Sequence, residues 1–215
     1  MTRETLIKEV ALKMDEISSS DDVIVSVDIS DNNPLYTQIN ELLNESINDV
    51  LMKAPIYRLS SQVDKYPQYT TETIFNGTRK KVVFTVPEDF IRIASITDDK
   101  FQRPIVDLAI EGDDTDKLQH NKHLVAKTAK PVAVIERDAT GRRVISCYSY
   151  DAADTVNPTM LYVKRYNVIN PLVDTGLDEY LTDIVAWVCA GKVFASRGDI
   201  NNGKICDDNA AALMM

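Results

Sequence analysis

Apolar side chains return every three to four residues at both ends of the chain and every second residue in between. Over residues 3–18, Leu6, Ile7, Val10, Met14 and Ile17 share one stripe with charges opposite, which predicts an amphipathic helix. A short β-like run, VIVSVDI, follows between acidic and Asn-rich flanks. Asn33 before Pro34 is a helix start signal, because Asn caps and Pro suits the first turn. Leu35, Ile39, Leu42, Leu43, Ile47, Val50 and Leu51 then form one broad face over 34–53, and Pro55 stops that helix at or before Ala54.

From about residue 57 the period changes to 2. The Asn76-Gly77 pair in TETIFNGTRKKVVFTV is a hairpin signal, and it makes the sequon-like Asn76-Gly77-Thr78 a turn. Val82, Phe84 and Val86 alternate with Val83 and Thr85. In TVPEDFIRIASIT, strict alternation puts Phe90, Ala94 and Ile96 on one face and Ile91 and Ile93 on the other, a strand with apolar residues on both sides. A polar, loop-like stretch with room for a short helical turn fills 111–130, and further strands are expected in VAVIE, RRVISCYSY and TMLYVKRYN. About six strands with short links predict an antiparallel meander folded into a small sandwich or barrel.

Helical spacing resumes after Asp174 and Thr175, where Leu177, Leu181, Ile184, Val185, Val188 and Phe194 give a wide apolar arc, ended by Gly198. A short helical tail runs to the apolar tip. The expected fold class is α+β: residues 1–56 and 171–215 form a helical bundle, and 57–170 an inserted antiparallel β domain.

Composition narrows the function. Hydrophobic content of 44% and charged content of 27% are those of an ordinary globular protein. There is no secretory-type leader and no apolar run near membrane-spanning length, so neither export by that route nor a membrane is expected. Three widely spaced cysteines, Cys147, Cys189 and Cys206, make no CxxC pair and suggest no disulfide framework. A net charge of −9 argues against a protein that grips nucleic acid by its phosphates. The charge is uneven: residues 1–54 carry 4 basic and 11 acidic side chains, 79–150 carry 13 and 11, and 151–215 carry 5 and 9.

Catalytic chemistry has few candidates. His120 and His123 have an HxxH spacing without a third ligand, and read as exposed loop histidines. No GxSxG elbow or phosphate-cradling glycine pattern is present. The segment EGDDTD at 111–116 is either a solvated acidic loop or a hard-cation site lacking EF-hand spacing. Tyr148, Tyr150, Tyr162 and Tyr166 are either a stacking face for sugar or base or ordinary strand-edge tyrosines. Trp187 reads as a core or interface anchor.

The phrase VPEDFIRIASI, the later KPVAVIERDATGRRVISCYSY and TMLYVKRYN, and the closing LDEYLTDIVAWVCAGKVFASRGD resemble the head-to-tail adaptor proteins of tailed bacteriophages. These are head-completion or tail accessory factors, the ring proteins of crAss-like phages among them. The resemblance covers most of residues 34–200 as an order of elements and one short phrase. It departs from the pattern in the 19–33 link and the apolar C-terminus. It implies a virion protein with no enzyme activity and no cofactor. Twelve copies would form a ring below the portal protein, carry other tail proteins and let DNA pass through without specific binding. The interface residues expected on this basis are Phe90, Ile91, Ile93, Trp187, Ile205, Leu213 and Met214, with the tail from Asp199 docking on the portal or a neighbour. Two other readings are a β-domain binding module for carbohydrate or a virion protein, and a hydrolase using paired carboxylates.

Overall fold

The computed structural model describes residues 1–17, 34–168, 170 and 172–214. The β-like run at 23–29 and the Asn33 cap lie outside the described residues. The chain begins with helices α1 (Arg3–Ile17) and α2 (Pro34–Lys53). Strands β1 (Val63–Tyr66), β2 (Thr70–Ile74), β3 (Arg79–Thr85), β4 (Phe90–Thr97) and β5 (Ala109–Ile110) follow. After the short helix α3 (Asp114–Gln119) come β6 (Ala133–Arg137), β7 (Arg143–Asp151) and β8 (Thr159–Lys164), and helices α4 (Glu179–Ser196) and α5 (Ile200–Met214) close the chain. The fold class is α+β, with terminal helices flanking an antiparallel-rich β region. Two compact units result: Met1–Gln62 with Arg165–Met215, and Val63–Lys164. Two 3-10 turns, Ile56–Arg58 and Ser60–Gln62, therefore belong to the helical unit rather than to the β segment.

In the helical unit, the stripes read from the sequence are the buried ones. Leu6, Ile7, Val10 and Met14 of α1 and Ile39, Leu43, Ile47, Val50 and Leu51 of α2 are closed to solvent. Each such side chain contributes about 1.5–3 kcal/mol of burial energy. Leu42 lies at the margin instead, and Ser46 takes a core position by donating its hydroxyl to the Leu42 carbonyl at 2.9 Å. Arg3 is fully buried, and its guanidinium donates to Asn40 Oδ1 (2.8 Å), the Asn40 carbonyl (2.7 Å) and Asn44 Oδ1 (2.6 Å), tying α1 to α2. The cap of α4 is Asp178, whose carboxylate accepts from the Leu181 amide at 2.8 Å. Eleven of the eighteen α4 residues are buried, which makes it the central helix.

The β unit is a sandwich of a three-stranded sheet, β1-β8-β4, and a five-stranded sheet, β2-β3-β7-β6-β5. Its eight strands do not form the expected meander. Consecutive β3 and β4 lie in different sheets, and β5 pairs with β6 in parallel. The phrase VPED is the corner between them: Pro87 has no amide hydrogen to continue a ladder, and the Phe90 amide closes the turn on the Pro87 carbonyl at 3.2 Å. Val82, Phe84, Phe90, Ile93, Ile96, Ile145, Cys147, Tyr150, Met160 and Tyr162 fill the space between the sheets.

Strict alternation fails at three places, each a β-bulge. In β4 the register slips between Phe90 and Arg92 and again between Ile93 and Ser95. Each extra residue turns the strand, so Phe90, Ile93 and Ile96 all face the sandwich core, not opposite sides. In β7, Cys147 pairs with Val82 and Tyr150 with Lys80, leaving two β7 residues opposite Lys81. Cys147 and Tyr150 consequently point inward, while Tyr148 joins Val125 and Val134 in a separate outer cluster. The β2–β3 hairpin uses Asn76 (φ 55°) and Gly77 (φ 86°) as its central turn residues, both left-handed as the turn type demands.

Candidate interaction surface

Helix α5 has the least embedded side chains of the helical unit, and the reason lies in its residue sizes. Its buried residues are Gly203, Cys206 and Ala210, a narrow stripe of small side chains against α4. At the crossing, a Cβ placed on Gly203 would stand 3.2 Å from the Gly191 carbonyl, and one on Gly191 would meet Gly203 O and Cys206 Cβ, each at 3.2 Å. Glycine at both positions lets the backbones meet. A polar contact adds to this packing: the Tyr180 hydroxyl donates to the Leu213 carbonyl at 2.5 Å. Ile200, Ile205 and Leu213 are left exposed at 74%, 46% and 37%, on different sides of the helix.

Beside α5 runs an open cleft of about 410 Å³ whose lining includes Asp49, Lys53, Lys192, Asp207 and Met214. Lys192 bridges Glu45 (2.6 Å) and Asp49 (2.7 Å) of α2. Burial alone would lower the Lys192 pKa, but the hydrogen bonds to Asp49 and Glu45 outweigh it and raise the value above that of an ordinary lysine. A second open cleft, about 670 Å³, is lined by Glu9, Asp178, Glu179 and Asp183 with Tyr180 and Thr182. Two of those carboxylates are engaged: Asp178 caps α4, and Asp183 pairs with Lys13 at 3.2 Å.

The expected interface residues divide three ways. Ile205 and Leu213 are exposed and Met214 is half-buried, all on α5. Trp187 is 8% exposed in the helical unit, with the Lys13 ammonium 4.9 Å from its ring centroid, a packed anchor rather than an open one. Phe90 and Ile93 are core residues of the sandwich, Phe90 stacked on Tyr162 at 6.0 Å, and Ile91 sits half-buried at the first bulge. The Gly191–Gly203 contact was not read from the sequence. Its signal is two glycines inside helical patterns, where glycine costs about 1 kcal/mol relative to alanine unless close packing requires it.

The other chemical candidates are absorbed by structure. Asp113 caps α3, and the hydrogen bond from the Asp116 amide is the main cause lowering its carboxyl pKa. Asp116 is buried, accepts from the Gly112 amide at 2.8 Å and meets His120 Nε2 at 3.2 Å. His120 and His123 are exposed. Among the described residues no group of three or more His, Cys, Asp or Glu side chains is placed to hold a metal ion. The four tyrosines share no face. Tyr150 and Tyr162 lie in the sandwich with hydroxyls donated to Asp98 (3.1 Å) and Asp89 (3.0 Å), Tyr148 lies on the outer face, and Tyr166 belongs to the helical unit. Burial drives the phenol pKa values of Tyr148 and Tyr150 upward and that of Tyr162 to about 12. All three cysteine thiols are buried, and burial raises Cys189 and Cys206 to about 11 each and Cys147 further, so none is a ready nucleophile. Among the described residues no helix is long and apolar enough to cross a membrane. Comparison with protein-family models and with curated proteins gave no match.

Proposed function

We propose that the protein is a structural connector of a tailed-phage virion, a ring subunit that sits below the portal, extends the DNA channel and offers a platform to tail proteins. The observation that carries this reading is α5. A closing helix held by glycine, cysteine and alanine, with Ile200, Ile205 and Leu213 turned outward, suits a subunit that works by presenting a surface. The resemblance of VPEDFIRIASI and the flanking order of elements to head-to-tail adaptors supports the same reading. On this view α5 meets the portal or a neighbouring copy, and Trp187 keeps the central helix in place beneath it.

The test is mass by light scattering, for the chain alone and mixed with a portal ring, comparing the wild type with Ile205→Glu/Leu213→Glu. Both positions are exposed, so the double variant keeps its helical circular dichroism. A stoichiometric complex for the wild type, lost in the variant, is expected. A wild type that stays monomeric beside the portal, or a variant that assembles normally, overturns the reading.

A further inference from the structure

Two loops of the β unit bring together cations that the protein itself leaves unneutralised. The first loop, after β4, is fixed from below: Phe101 turns inward onto Tyr150, with ring centroids 5.2 Å apart, and the Asp98 carboxylate accepts from the Tyr150 hydroxyl, the Asn157 amide and the Lys100 amide. The second loop precedes β6 and is fixed by buried Val125 and by the turn in which the Lys130 amide donates to the Lys127 carbonyl at 2.9 Å. The Gln102 amide donates to the Thr128 carbonyl at 3.1 Å and joins the two. Lys100, Arg103, Lys127 and Lys130 thus stand within two residues of one backbone hydrogen bond. All four are exposed, and among the described residues none has a carboxylate within ion-pair distance. The first loop carries two exposed acids, Asp99 and Asp107, against these four cations, while the Asp98 carboxylate is spent on the Tyr150 and Asn157 donors. Lys127 and Lys130 also face each other across an antiparallel bridge, an arrangement that costs energy without an anion.

We propose that these loops form a sequence-independent contact for the phosphate backbone of duplex DNA. Point charges spread along a lip match phosphates spaced along a strand. The aromatic residue of the lip faces inward, so single-strand base stacking is not served, and no exposed aromatic anchor marks a protein hot spot. The net charge of −9 argues against such a grip for the chain as a whole, but the whole excess of acid lies in the helical unit, and the β unit holds 15 basic and 15 acidic residues. The contact is a property of the isolated chain and does not require the connector reading, which supplies only the source of the duplex.

The test is fluorescence anisotropy of a labelled mixed-sequence duplex against the intact chain over a salt series. Four phosphate contacts predict a slope of log K on log salt of about −3 to −4, or roughly 100-fold weakening between about 50 and 200 mM salt. Lys127→Gln/Lys130→Gln should halve the slope to about −2, and adding Lys100→Gln/Arg103→Gln should abolish binding. Lys8→Gln/Lys65→Gln, which removes elsewhere the same charge as the first pair, should leave binding unchanged. The proposal is overturned by an unchanged slope in the quadruple variant, or by no wild-type binding at low salt. It is equally overturned if the loop variants alter the chain's self-association while DNA binding stays the same, which would assign the lip to an acidic protein surface. None of these results depends on whether a portal captures the chain.

Discussion

The helical unit holds 9 basic and 18 acidic residues, and with them the whole net charge, whereas the β unit is balanced at 15 of each. Their interiors differ as sharply. Leu6, Ile7, Met14, Ile39, Leu43, Ile47 and Leu51 fill the helical unit with aliphatic volume. The β unit packs Phe84, Phe90, Tyr150 and Tyr162, and hooks its tyrosines to Asp98, Asp89 and, through Tyr69, the Val156 carbonyl. An aliphatic core is damaged by removing volume. An aromatic core with tethered hydroxyls can also be damaged by removing an acceptor.

The hardest test of that contrast is a pair of truncations. Phe84→Ala in the β unit should cost about 3–5 kcal/mol and Leu43→Ala in the helical unit about 2–5 kcal/mol. In urea, each should move a transition reported by its own unit. If both shift one common transition, the two units unfold as one and the energetic contrast fails. Next in size, Asp98→Ala should cost about 1–3 kcal/mol by stranding the buried Tyr150 hydroxyl, and Tyr150→Phe in that background should recover part of it, measured by thermal melting. Asp178→Ala removes the α4 cap and should cost about 1 kcal/mol, seen in the helical signal.

The smallest effect concerns pH. Asp138, at the β6–β7 turn, is held at a pKa of about 2, first by the Thr140 hydroxyl and then by the Thr140 and Arg142 amides and the Arg142 side chain. A carboxyl depressed by folding stabilises the turn above its ordinary pKa of about 3.9, and that contribution fades as pH falls toward 2. Carbon NMR of the Asp138 carboxyl should show the low midpoint, and Asp138→Asn should flatten the turn's acid sensitivity.

Helical periods were legible because a helix makes its own hydrogen bonds: α1, α2 and α4 bury most of the stripes that spacing alone assigns, with Ile17, Leu42 and Val188 left half-buried. Strand periods depend on a partner, and the partner's register is invisible in the strand's own residues. Hence Ile93 and Phe90 share a face that alternation denies them, and Tyr148 and Tyr150 are parted where alternation joins them. The Asn76-Gly77 turn was readable because its backbone angles select those residues locally. On the candidate surface, Ile205 and Leu213 could be named from the closing tail that begins at Asp199. The closeness of Gly191 and Gly203 could not, since it belongs to two helices at once.

The three buried thiols have a practical consequence. Cys147 lies in the sandwich, Cys189 on the central helix with its sulfur toward the Ile39 carbonyl, and Cys206 under α5. Each is closed to a modifying reagent until its own element opens. Native-state thiol labelling, resolved by peptide mass, would therefore time three separate breathing motions in one experiment. The chain carries its own clocks, and the one at Cys206 should run fastest, because the side chains α5 buries are only Gly203, Cys206 and Ala210.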